Sequence, residues 1–246
     1  MLIGVVGERY SGKQTLINYL VNEHYFKELK ITKKHASCTS NSHEFPSFAD
    51  AIQYATSHWK EKFIIKNIQK YHDFEVAMKR PFFVLLAVTA PTTIRFKRLR
   101  NLVHENMDDD ITLTDLSLES KTDALPKWSS PNLTLEQFLQ LDEHDLYHQR
   151  HYPHSHHLNL VSFIKNASIS ILNDGSDLMG LKKQIQAADL ENPEHTRPSW
   201  DSYFMALCEL ASKRSNCMKR RVGCIVVQDS RVVSTGYNGN KSKENH

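Results

Sequence analysis

Long apolar runs, paired cysteines and a strong charge imbalance are all missing from this chain, and each absence removes a class of protein. The most apolar stretch, Phe82 to Val88, is far shorter than the about 20 residues that a membrane-spanning helix needs. No membrane partner is expected. The four cysteines (Cys38, Cys208, Cys217 and Cys224) form no C-x-x-C pair and no secreted disulfide framework, so they read as reduced thiols of an intracellular protein. Met1 leads directly into a short apolar strand without a basic leader or cleavage site, which argues against a signal peptide. The expected location is the cytoplasm, with the nucleus left open. A formal net charge of +3 over 246 residues is too mild for a nucleic-acid binder, whose positive charge is heavier and patterned, and no nucleic-acid partner is expected. A few local cationic clusters suit a phosphorylated small molecule equally well.

What is present begins with enough apolar residue, 40% of the chain, to pack a core in one large or two modest domains. Met1 to Val6 reads as a buried strand. Gly7-Glu8-Arg9-Tyr10-Ser11-Gly12-Lys13-Gln14-Thr15 follows, and Leu16, Ile17, Leu20 and Val21 then open a helix. Strand, glycine-bearing turn and helix N-terminus together resemble a P-loop. Backbone N–H groups of such a turn curl around phosphate oxygens, the helix dipole favours the anion, and a lysine reaches the terminal phosphates. Gly7, Ser11, Gly12, Lys13 and Thr15 are therefore candidate nucleotide-binding residues, with ATP or another nucleotide as ligand. Gln14 stands where a hydroxyl usually meets magnesium, and Thr15 comes one residue late. The competing reading is a P-loop fold kept for structure, with little or no catalysis.

Pro81 to Val88 has the continuous apolar character of a strand inside a parallel sheet. It runs through Thr89-Ala90-Pro91 into a helix bearing Arg95, Arg98 and Arg100. This order is similar to P-loop nucleoside and nucleotide kinases, in which an aspartate often stands beside the strand end; here Thr89 takes that place. Ala167 to Leu172, Asn173-Asp174-Gly175 and a helix with Leu178, Leu181 and Ile185 repeat the strand–helix pattern. The alternation predicts an α/β fold over residues 1–188: a P-loop-like parallel sheet with flanking helices. Phe63-Ile64-Ile65 fits either element, and the spacing Trp59, Phe63, Ile64, Ile68, Tyr71 favours helix. Asn101 to Ser130 is polar and reads as an insertion or lid-like region. Glu136 to Leu146 reads as helix. The tract from His148 to His157 invites a metal, but its spacing matches no zinc pattern and Pro153 makes it irregular, so it reads as a solvated basic loop.

A polar segment containing Pro193 forms a linker, residues 189–196, to a second unit, 197–246. Trp200, Phe204, Leu207, Leu210 and Ala211 recur at spacings of three and four, as a buried helical face does. Arg214, Lys219, Arg220 and Arg221 then surround Cys217. Val222 to Val227 reads as a strand, Gln228-Asp229-Ser230 as a turn, and Arg231 to Thr235 as a returning strand. The ordered motifs RPSWDSYFM, RSNCMKRRVG and TGYNG resemble the start of the catalytic domain of deoxycytidylate (dCMP) deaminases, above all the fungal ones, which share a P-loop-like N-terminal extension.

That resemblance implies the first helix and β-hairpin of a cytidine-deaminase-like α/β domain. It implies zinc-dependent hydrolysis of dCMP to dUMP, control by dCTP and dTTP, and homo-oligomers. Zinc makes a nucleophile by lowering the pKa of bound water to about 7, and the family signature for it is H-x-E followed by P-C-x-x-C. His43-Glu44 and His104-Glu105 lack the intervening residue, and no P-C-x-x-C occurs in the 246 residues. No catalytic residue and no metal ligand is assigned, and the chain alone is expected not to deaminate. By resemblance Asn238 contacts the nucleotide sugar; a turn-forming Asn-Gly pair is the bland alternative. Arg220 and Arg221, with Lys219, would hold the 5′-phosphate or an allosteric nucleotide, unless they serve only as a basic helix end facing its own dipole. Cys217 and Cys224 are not zinc ligands by family position. Two further readings stay open, a P-loop nucleotide-binding or kinase-like protein and a non-catalytic regulatory deaminase subunit. The polar tail from Asn240 to His246 reads as a truncation, the product of a translated intron or broken reading frame. A lone hairpin on one helix is marginal, so Val222, Ile225, Val227, Val232 and Val233 are expected to stay partly exposed unless they dock elsewhere.

Overall fold

The computed structural model describes residues 1–32, 42–66, 68, 71–108, 134–147, 160–175 and 178–239. Cys38, residues 109–130 of the polar stretch, the histidine tract and the tail from Asn240 lie outside them. The chain divides into two compact units, Met1–Leu190 and Glu191–His246. Among the described residues no helix is long and apolar enough to cross a membrane.

The first unit is built on β1 (Leu2–Gly7), β2 (Lys27–Ile31), β3 (Ser42–Phe45), β4 (Phe63–Lys66), β5 (Phe83–Thr89) and β6 (Ile169–Leu172). They form one sheet in the order β3-β2-β4-β1-β5-β6, every neighbouring pair parallel. Helices α1 (Lys13–Glu23), α2 (Phe48–Ser57), α3 (Tyr71–Met78), α4 (Thr92–Asp108), α5 (Leu135–Tyr147), α6 (Leu160–Lys165) and α7 (Leu178–Ala188) complete it.

Side chains alternate across a strand, so a strand covered on both faces must be apolar at every position. Leu2, Phe63, Ile65 and Leu85 enter one core with Ile52 of α2 and Phe163 of α6. Their neighbours Ile3, Ile64, Val84 and Leu86 enter the opposite core with Leu16 and Leu20 of α1 and Leu181 of α7.

Two expectations are corrected here. Phe63-Ile64-Ile65 is strand, not helix: β4 pairs with β2 on one side and β1 on the other, and helical spacing cannot register a strand buried on both faces. The helix expected to give way to polar chain near Asn101 instead continues as α4 to Asp108.

The second unit consists of α8 (Trp200–Ser212) and an antiparallel hairpin of β7 (Gly223–Gln228) and β8 (Arg231–Tyr237). Ser199 caps α8 by accepting the Ser202 N–H, as N-cap serines do. Asp229 and Ser230 at the hairpin tip have φ of 50° and 58°, the pair of positive values that a two-residue type I′ turn requires. At Gly223 the helix and strand backbones meet: a Cβ there would lie 2.1 Å from the Cys208 carbonyl oxygen. The face expected to be buried is not. α8 carries no buried residue, and Trp200 and Leu210 are 57% and 59% exposed. One helix and two strands offer too little surface to enclose it. The hairpin valines behave as expected, with Val222, Val227, Val232 and Val233 all exposed.

Candidate functional site

Two places gather the residues singled out in the sequence. In the second unit the chain leaves α8 through a turn ending at Val222 and returns at the end of β8 to Asn238. The Asn238 amide oxygen accepts the Ser215 hydroxyl at 2.8 Å and the Val222 N–H at 2.8 Å. Its amide nitrogen donates to the Arg220 carbonyl at 2.8 Å, and its backbone N–H to the Val222 carbonyl at 3.0 Å. Ser215, buried in this turn, accepts the Cys217 N–H in addition. Asn238 thus fastens both ends of the turn, and Lys219, Arg220 and Arg221 lie exposed on it. The Cys217 thiol is held below the usual thiol range by the backbone N–H groups of Arg220 and Lys219, with a smaller contribution from the Asn238 amide. An asparagine amide has two acceptor and two donor positions, and this one directs them at the turn. The resemblance to the deaminases singled out Asn238 and the arginines but did not disclose that the first organises the second.

In the first unit the β1–α1 loop lies beside the carboxyl ends of β1 and β5. Gly12 adopts φ of +99°, and a Cβ there would lie 2.3 Å from the Asn173 amide nitrogen, so only glycine fits. Lys13 reaches back to the Gly7 and Glu8 carbonyls, at 2.9 and 2.6 Å. Arg98 donates to the Tyr10 and Ser11 carbonyls, and the Asn173 amide donates to Ser11 at 2.8 Å. Gln14 links Asn18 to Lys66 through its amide, while Thr15 is exposed on α1. Ser11 is fully buried, and its hydroxyl has no hydrogen-bond partner.

Four functional-looking residues here escaped sequence reasoning. The strand end at Thr89 does receive a carboxylate, from Glu8, which accepts the Ala90 N–H at 3.0 Å. Arg95 is buried; it donates to the Ala90 carbonyl and makes a two-pronged pair with Asp142 of α5. Burial opposes its charge, but the Asp142 hydrogen bond and the nearby Glu8 carboxylate outweigh that, and its pKa moves up. Arg9 makes a second two-pronged pair, with Asp145 one helical turn further along α5. Glu8 and Arg9 sat inside a recognised motif; Asp142 and Asp145 had no local signal at all.

Among the described residues no group of three or more His, Cys, Asp or Glu side chains could hold a metal ion. Among the described residues no set of donors fits a zinc ion, and no chemistry is derived through one.

Residues 198–246 match the family model for the cytidine and deoxycytidylate deaminase zinc-binding region. Over 243 residues the chain is 34% identical to the deoxycytidylate deaminase of Schizosaccharomyces pombe, covering 96% of this chain and 65% of that protein. Over 246 residues it is 33% identical to the deoxycytidylate deaminase of Saccharomyces cerevisiae, covering 97% and 65%. A 44-residue segment is 50% identical to the deoxycytidylate deaminase of Mycobacterium phage D29, covering 18% of this chain and 34% of that protein. The chain thus spans about 65% of the length of its two fungal relatives. Aligned with both of them through the first unit as well as the helix, cationic turn and hairpin of the second, it is similar to the fungal deoxycytidylate deaminases over nearly its whole length.

Proposed function

We propose that this chain carries the nucleotide-facing side of a deoxycytidylate deaminase, the part that receives the phosphate and sugar of dCMP. The observation that carries the proposal is the cationic turn that Asn238 fastens within the matched segment. Arginine binds phosphate well because its planar guanidinium offers paired donors, and a fixed turn lowers the entropy lost on binding. Arg220 and Arg221 take the 5′-phosphate. Asn238 builds the turn and meets the sugar by exchanging the Ser215 hydroxyl on its amide oxygen for a sugar hydroxyl, one O–H donor for another.

Zinc would supply the activated water for attack on the base, and the H-x-E and P-C-x-x-C signature of its site does not occur in these 246 residues. The chain on its own therefore binds dCMP without deaminating it. Regulation by dCTP and dTTP and self-association come with the same reading. The test uses the 246-residue chain with dCMP and added zinc. It should form no dUMP and retain no stoichiometric zinc. Arg220→Ala and Arg221→Ala should each weaken dCMP binding about tenfold, about 1.4 kcal/mol, and leave deoxycytidine binding unchanged. Formation of dUMP, or a dCMP affinity indifferent to the double variant, overturns the proposal.

A further inference from the structure

We propose that the corner where β3 packs on α2 is a proton-operated latch: the imidazole of His43 fastens the edge strand of the sheet to α2, and a proton on that ring releases the strand. β3 has 4 residues and a neighbour on one side only, β2, in which Leu29 stands opposite His43. So short a strand has few ladder bonds, and its packing against α2 decides whether it stays in place. That packing is aromatic. The Tyr54 ring of α2 is centred 5.1 Å from the His43 ring, 5.2 Å from Phe45, 4.3 Å from His58 at the end of α2 and 5.7 Å from Phe63 of β4. His43 and Phe45 are two positions apart and reach Tyr54 from one face of the strand.

His43 Nε2 is buried and has no hydrogen-bond partner. Unpaired buried polar atoms are rare in folded proteins, and this one belongs to the side chain whose charge changes nearest neutral pH. A neutral imidazole carries an N–H on one nitrogen; the imidazolium carries one on each, together with a full charge. At Nε2 that N–H would meet no acceptor. The groups facing the ring give no relief. Lys27 of β2 and His58 of α2 repel a cation, Tyr54 presents its ring, and the Glu61 carboxylate ahead of β4 is engaged by Lys27 at 2.6 Å. Burial and the Lys27 ammonium, with a smaller part from His58, hold His43 below the usual histidine range against the pull of Glu61. The proton therefore favours an open corner, in which water reaches Nε2. The latch is fully closed above the ordinary histidine value of about 6.5, and its hold is lost as pH falls through the lower value of the closed corner.

The test uses the full 246-residue chain between about pH 8 and about pH 5. Nuclear magnetic resonance follows the His43 ring, and amide hydrogen exchange, corrected for its intrinsic pH dependence, follows the strands. His43 should titrate below a histidine in an unstructured peptide. Protection of residues 42–45 should fall with it, by up to about tenfold per pH unit, while that of β1 holds. His43→Phe keeps a ring without a proton site and should make β3 protection independent of pH; His43→Gln is the second such variant. His58→Gln removes a repelling charge, so opening should begin at higher pH. A His43 midpoint at or above the unstructured value overturns the proposal. So does β3 protection that ignores the His43 titration, or that keeps its pH dependence in His43→Phe. The two curves of the parent chain decide the matter by themselves if neither variant holds β3 in place.

Discussion

The two units of this chain use the same kinds of apolar residue to opposite effect. In the first, a six-stranded sheet is covered on both faces, and strand residues such as Ile3, Ile64 and Leu85 are fully buried. In the second, α8 and the β7–β8 hairpin follow equally clear apolar patterns, yet none of their residues is buried, and Ser215 in the turn between them is the one buried residue among those described in the unit. Pattern prescribes which side of an element seeks cover. Whether cover exists depends on how many elements the unit assembles. Order in the second unit must rest more on hydrogen bonds, the turn at Asp229-Ser230 and the Asn238 clamp.

The largest expected contrast comes from equivalent deletions in the two units. Leu85→Ala removes a fully buried side chain and should cost about 2–5 kcal/mol. Val233→Ala, at a side chain 61% exposed, should stay within about 0.5 kcal/mol. Denaturant unfolding followed by circular dichroism measures both, and similar costs would abolish the distinction drawn between the units.

A smaller effect should follow Gly223→Ala. The new Cβ would lie 2.1 Å from the Cys208 carbonyl and 2.5 Å from the Ser212 backbone nitrogen, so α8 and β7 must separate. A destabilisation of about 1–3 kcal/mol, comparable to overpacking in a core, is expected to show as faster amide exchange confined to residues 200–237. Unchanged exchange there would mean that the helix and hairpin are not held by this contact.

The smallest concerns the thiol. Cys217 is stabilised as thiolate by the Arg220 and Lys219 N–H groups, so its alkylation by iodoacetamide should begin at lower pH than that of a cysteine in an unstructured peptide. The linked stability has the sign of a lowered pKa: it is present above the unfolded thiol's pKa and lost as pH falls through the folded value. Asn238→Ala should move the alkylation midpoint slightly upward, since the amide is the minor contributor, and a downward move would contradict the clamp. Alkylation rates against pH, resolved by peptide mass, read the effect.

Much of the first unit was legible in advance because its signals are local. The strand–turn–helix order at Leu2 to Val21, the apolar run into Thr89 and the Asn173-Asp174-Gly175 punctuation each lie within a few residues. Glu136 to Leu146 was legible for the same reason and is contained in α5. The run Phe63 to Ile65 was misjudged because a fully buried strand shows no alternation, and three apolar residues in a row fit a helix as well. The motif residues of the loop were recognisable, but the role of their neighbours was not. Arg95 and Asp142 are 47 positions apart, and Arg9 and Asp145 are 136 apart. No periodicity spans such distances.

By itself the sequence determined the alternating strands and helices, the turn chemistry at Asp229-Ser230, and a likeness to fungal deaminases carried by three ordered motifs. These depend on backbone propensity and residue identity over short windows. Only the tertiary structure decided that Asn238 directs its amide at the turn bearing Arg220 and Arg221. It alone decided that Lys13 folds onto the loop's own carbonyls, and that two aspartates of α5 meet Arg95 of α4 and Arg9 of the β1–α1 loop, both far away in the chain. Hydrogen bonds and ion pairs form between whatever groups the packed elements bring within about 3 Å, and that proximity is a property of the assembled fold.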